Sequence, residues 1–176
     1  MVEIPYYTSA RIRALKAATD DWVAATHINW DVAACWHLPI SDIAGDVEHV
    51  EMSVGRKLRR YFNQLDRRIF KSQQKRGSRV QRFITLEHAE STGWHVHGIL
   101  ATPPHVDQQQ LIADVKQIWL YCVQDDKIGL PSAHLAWCEP TTSHYAQYTT
   151  KQSFAPLHRA RGTIDYQNTY FSYLPN

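Results

Sequence analysis

Apolar residues recur at every third or fourth position through Val47, Val50, Val54, Leu58, Phe62, Leu65 and Ile69. That period matches one face of an α-helix and predicts a long amphipathic helix from about Ser41 to Lys71, with Gly55 as its weak point. Leu111, Val115, Ile118, Trp119 and Cys122 repeat the period. They predict a second helix, about 107 to 123, with Asp107 placed to cap its first amides. Residues 9 to 21 predict a short leading helix capped by Thr8 or Ser9. Four shorter runs rich in aromatic and β-branched residues predict strands: Trp22 to Trp30, Phe83 to His88, Trp94 to Leu100 and Ser132 to Cys138. Residues 31 to 41 hold Trp36 and Pro39 among polar neighbours and predict a loop. Residues 72 to 78 predict a flexible connection, and Thr141 to Ser143 start a last helix that carries Tyr145, Tyr148 and Lys151.

The order is strand, helix, strand, strand, helix, strand, helix. It predicts an α+β fold of the ferredoxin-like split βαβ kind, an antiparallel sheet with helices packed on one face and the active site on the other. Residues 1–176 are expected to form one domain, with a core of about 22–152 and a tail or linker stub from 153 to 176.

Charge changes the picture through its distribution. The formal net charge is only +2. Yet eleven of the nineteen Lys and Arg residues lie between Arg56 and Arg82, with Asp66 the single acid among them. So local a field suggests a polyanion contact on one side. Composition, at 44% hydrophobic and 20% charged, is that of an ordinary globular protein. No apolar run is long enough for a membrane helix, and the N-terminus does not read as a signal peptide. Cys35, Cys122 and Cys138 are too few and too scattered for a zinc knuckle or a disulfide framework. They read as buried thiols in a reducing cytoplasm. No G-x-x-x-x-G-K-[ST] occurs, which excludes an ATPase module within this sequence.

The candidate chemistry sits in the predicted hairpin. Alternate residues of a strand share a face, so His95 and His97 point one way and Val96 the other. Glu87, on the neighbouring strand, can reach the pair. Two imidazoles and a carboxylate on one sheet face make a three-ligand divalent metal site with open positions, suited to Mg²⁺ or Mn²⁺. His88 and Glu90 are rival third ligands. Glu87 is preferred because it continues the alternation of Phe83 and Thr85.

Trp94-His-Val-His-Gly-Ile-Leu100 resembles the signature of the HUH endonucleases, and Tyr148-Thr-Thr-Lys151 resembles that family's tyrosine motif. The likeness covers roughly residues 22 to 152 and is nearest to single-tyrosine rolling-circle replication initiators. It implies a site-specific, metal-dependent single-strand DNA nickase and ligase that leaves a 5′-phosphotyrosyl intermediate and a free 3′ hydroxyl. By that resemblance Tyr148 is the nucleophile, and Lys151, one helical turn on, holds the phosphate or the phenolate. His144 stands where two-tyrosine initiators carry another Tyr, which favours a single-tyrosine mechanism. His27 or Asn29 would sit on the first core strand, near DNA.

Single-stranded or hairpin origin DNA is the expected partner, contacted through Lys75, Arg76, Arg79, Arg82, His144 and Tyr145. The helicase would be a separate protein, and a monomer is expected. A transposase or a relaxase is the runner-up. A third reading is a non-catalytic ferredoxin-like nucleic-acid binder that uses Phe83, Trp94 and Tyr145 as stacking platforms.

Overall fold

The computed structural model describes residues 9–38, 47–89, 93–124, 135–142, 145, 161–164 and 167–171. Helix α1 (Ser9–Ala24) leads into strand β1 (Val32–His37). Helix α2 (Val47–Phe70) follows and tightens into a 3-10 turn at Lys71–Arg76, which ends on Gly77 at φ 96°. Strands β2 (Arg82–Ala89) and β3 (Gly93–Leu100) form the hairpin. Helix α3 (Gln108–Val123), β4 (Ala136–Pro140) and the short β5 (Arg161–Ile164) complete the order. Asp107 caps α3 as expected, its carboxylate accepting from the amides of Gln109 and Gln110.

The strands form one sheet, ordered β4-β1-β3-β2-β5, with every neighbouring pair antiparallel. The first four strands and the helices between them make the split βαβ arrangement, and the fold class is α+β. Val32, Ala34, Trp36, Ile84, Leu86, Val96 and Leu100 face α2 and α3 and form the larger core with Val54, Leu58, Phe62, Leu65, Leu111, Val115 and Trp119. Gly98 belongs to this face. A Cβ there would meet the Trp36 indole at 2.7 Å and Ile84 at 2.9 Å. The glycine that follows the His-x-His is therefore a packing requirement of the opposite face.

The first strand lies ten residues later than the sequence pattern places it. Trp22 and Val23 belong to the end of α1, the chain turns at Ala25 and Thr26, and His27 takes a left-handed φ of 52°. β1 is then Val-Ala-Ala-Cys-Trp-His, a nearly continuous apolar run of the kind a central strand needs when both its faces are covered. His27 and Asn29 are exposed in the connection and lie on no strand. Asp31 fixes this entry: its carboxylate accepts from the amide and hydroxyl of Thr102, and its carbonyl accepts from the amide of Thr141.

A second, smaller core lies on the other face of the sheet. Val23, Trp30, Phe83 and Ile99 are buried there, with Trp22, Ile28, Ile164 and Phe171 packed around them. The end of α1 therefore covers part of the face opposite α2 and α3. Parts of the expected tail are built into the fold. β5 pairs with β2. Asn168 is buried and donates to the Gly55 carbonyl. Thr169 accepts from the Ile84 amide, and Tyr170 exchanges two backbone hydrogen bonds with Arg82. Phe171 stacks on Phe83 at 6.3 Å between ring centroids. Of the three cysteines expected to be buried thiols, Cys138 is buried, and burial pushes its pKa up to about 12, whereas Cys35 and Cys122 are only partly buried.

Candidate metal centre

Strand register assembles the site. Glu87 lies opposite His95, and Thr85 opposite His97, in the β2–β3 ladder. Directly opposed residues share a face. The face that carries Phe83 and Ile99 into the smaller core therefore carries Thr85, Glu87, His95 and His97 beyond its edge. The Glu87 carboxylate is 3.6 Å from His97 Nε2 and 3.9 Å from His95 Nε2, and the two imidazole centroids are 4.9 Å apart. Glu87 is 0% exposed, His95 6% and His97 7%.

One donor atom from each of the three lies within 4.8 Å of the others. An ion about 2.1 Å from each of two donors holds them roughly 3 to 3.5 Å apart, so this spacing is close to that of a loaded site. A buried carboxylate facing two imidazoles is also a donor set of net negative character, and a cation offsets the cost of burying it. The residues thus fit a divalent ion. His88 and Trp94 form the next opposed pair and point to the helix-covered face, where their rings meet edge to face at 5.0 Å. His88 is no rival ligand, and Trp94 packs against the larger core. Glu90 lies outside the described residues.

Tyr145 is the described residue of the expected last helix. Its hydroxyl lies 3.5 Å from His97 Nδ1, the ring nitrogen turned away from Glu87, and its amide donates to the Thr142 carbonyl. His144, Tyr148 and Lys151 lie outside the described residues. Two further neighbours come from β1, where Cys35 opposes His97 and His37 opposes His95, with the His37 and His95 rings 6.3 Å apart. The displaced first strand hid both. Placed at Val32, its alternation would have put them on this face. On β4, Trp137 opposes Cys35, so its indole belongs to the same face, and it is 39% exposed.

The basic segment is arranged differently from the expectation. Arg82 is a structural cation, 7% exposed, that donates to both oxygens of Asp66 at 3.0 and 3.1 Å and to the Asn168 and Val80 carbonyls. Its guanidinium covers the Phe62 ring at 4.3 Å. Burial raises the Asp66 carboxyl pKa and lowers that of Arg82, and their mutual attraction opposes both shifts. Arg79 is half-buried, donating to the Gln74 and Ser78 carbonyls. Arg82 is thus turned largely into the fold, with its Nε and one terminal nitrogen bonded to protein acceptors. Lys75 and Arg76 remain exposed. The Arg82–Leu100 register is five residues from Glu87–His95, about 17 Å along the strand. Proximity in sequence did not carry over to space, since α2 and its basic outer face lie behind the sheet from the metal residues.

No protein-family model and no curated protein matches this chain. Among solved structures, one similar chain is the N-terminal nuclease domain of minute virus of mice non-structural protein-1, at 11% identity. The alignment covers 85% of this chain and 71% of that one, with a TM-score of 0.35. That domain coordinates Zn²⁺ in its active-site pocket and recognises DNA at the origin of replication. At that TM-score the likeness carries no functional argument. No helix among the described residues is long and apolar enough to cross a membrane.

Proposed function

We propose that this chain is a metal-dependent single-strand DNA nickase and ligase of the HUH type, acting at a replication origin of a plasmid or phage. The observation that supports this reading most is the convergence of buried Glu87, His95 and His97 with a tyrosine hydroxyl against His97. A divalent ion held by Glu87, His95 and His97, Mg²⁺ or Mn²⁺, would supply Lewis acidity to the scissile phosphate.

The chain's own residues do the rest. The Tyr148 phenol gives up its proton to solvent, and its oxygen attacks phosphorus in line with the departing 3′ oxygen. A tyrosyl–phosphate bond forms at the 5′ side, the P–O3′ bond breaks, and the 3′ oxygen takes up a proton. Because one phosphodiester replaces another, the reverse attack by a 3′ hydroxyl reseals the strand. Lys151, three residues on from Tyr148 in the sequence, steadies phenolate or phosphate charge. His97 is oriented by Glu87 on one side and Tyr145 on the other.

A second reading makes Tyr145 the nucleophile, and its hydroxyl contact with His97 favours it. The test is incubation with labelled single-stranded oligonucleotide and Mn²⁺, followed by denaturing electrophoresis. Tyr148→Phe is expected to eliminate the covalent adduct and Tyr145→Phe only to slow it. A nucleotide-linked peptide carrying its phosphate on Tyr145 would transfer the role to that residue. No adduct from the parent protein on any strand, with metal bound, would refute the nuclease reading.

A further inference from the structure

Large exposed apolar side chains are few among the described residues: Met52, Leu120, Tyr121 and Trp137. The first three lie on helices α2 and α3, behind the sheet. Trp137 alone of them stands on the face that carries the metal residues. It is two strand spacings from His97 across the sheet, about 10 Å, with Cys35 between them. Its ring centroid is 6.1 Å from that of Tyr145 at a tilt of 37°, and the Tyr145 hydroxyl reaches His97. Rings thus run in sequence from Trp137 through Tyr145 and His97 to His95.

The geometry points to Trp137 as a stacking shelf for one unpaired base of the DNA strand, next to the nucleotide whose phosphate enters the metal centre. This inference rests on the nickase reading and adds to it a residue and a strand path. An indole held open on a strand beside a phosphate-directed site offers a flat apolar surface that every base can cover and that a base inside a duplex cannot reach. The shelf therefore selects single-stranded over paired DNA without selecting sequence. Phe83 and Trp94 cannot share this role, because Phe83 is fully buried in the smaller core and Trp94 faces α2 and α3.

The experiment measures binding of the full chain to a fluorescein-labelled single-stranded oligonucleotide in EDTA, so that no cleavage intervenes. Trp137→Ala is expected to weaken binding roughly 5- to 150-fold, the range of base–aromatic stacking, and Trp137→Phe to recover most of the loss. Abasic sites moved along the oligonucleotide should reveal one position where base removal costs the parent protein a similar factor. That same position should cost the Trp137→Ala variant nothing further. If the alanine variant fails to fold, the abasic scan with the parent protein decides. An alanine variant that binds as tightly as the parent, or a flat abasic scan, overturns the shelf while leaving the nickase reading intact. A parent protein that binds no single strand overturns both.

Discussion

Divalent metal should stabilise the folded chain through Glu87, His95 and His97, and melting of chelator-treated protein gives the cleanest reading of that site. The three donors come from two adjacent strands held in register, so they converge only when the hairpin is formed. An ion that binds the folded and not the unfolded state adds RT ln(1 + [L]/Kd), about 2.7 kcal/mol at a hundredfold excess over Kd. For a chain of this length, each kcal/mol moves Tm by about 2 to 4 °C, so the expected rise is roughly 5 to 11 °C. Glu87→Gln keeps the volume and the buried position and removes the charge. It should leave the metal-free Tm near that of the parent and abolish the rise. His97→Ala should do the same to the rise. The assay is a calorimetric or fluorescence melt across a Mn²⁺ titration, repeated with Mg²⁺. A rise that survives all three of Glu87→Gln, His95→Ala and His97→Ala would locate the ion elsewhere. The absence of any rise in the parent would refute the site.

Three other outcomes follow from the packing and the charge layout. Arg82→Met takes the closest guanidinium from the buried Asp66 carboxylate, which keeps the Val80 amide and Arg79, and should cost about 1 to 3 kcal/mol in chemical denaturation, whereas an unchanged denaturation midpoint would mean that the Arg82 pair adds nothing to the fold. Paired replacement of Lys75 and Arg76 by Gln should spare stability. It should shallow the salt dependence of single-strand binding by about 0.7 per lost phosphate contact, and an unchanged slope would show that this turn is merely solvated. Gly98→Ala drives a methyl into the Trp36 indole and should cost about 1 to 3 kcal/mol by overpacking while metal still binds; an unchanged denaturation midpoint would contradict the close contact.

The hairpin was legible in the sequence because its chemistry follows a period of two. Once Phe83 to His88 and Trp94 to Leu100 are strands, alternation alone puts Glu87, His95 and His97 together and turns His88 away. Helices α2 and α3 were legible from their apolar stripes. The first strand was not. A central strand buried on both faces loses its alternation, and the tryptophans that flank it, Trp22 and Trp30, carry the aromatic signal of a strand while packing the smaller core. That slip concealed Cys35 and His37. The role of Arg82 was illegible for a different reason: a basic run looks uniform in sequence, and only the fold shows which of its cations meet the buried Asp66, Arg82 at 3.0 Å and Arg79 at 3.4 Å. Trp137 was assigned to a strand correctly, but its exposure beside the site depends on which face β4 presents.

The contacts made by residues 161–171 bear on how the molecule is synthesised. β2, which carries Glu87, is covered on its outer side by β5 and by the Tyr170 bridge to Arg82. On a ribosome those residues emerge after every other described element. Until they do, the strand that supplies the carboxylate presents a bare row of amides and carbonyls, the kind of edge that recruits strands from other chains. A nascent chain stalled before Arg161 would have its helices and its hairpin and still be a template for aggregation. Residues 161–171 thus act as a closing seam over the β2 edge.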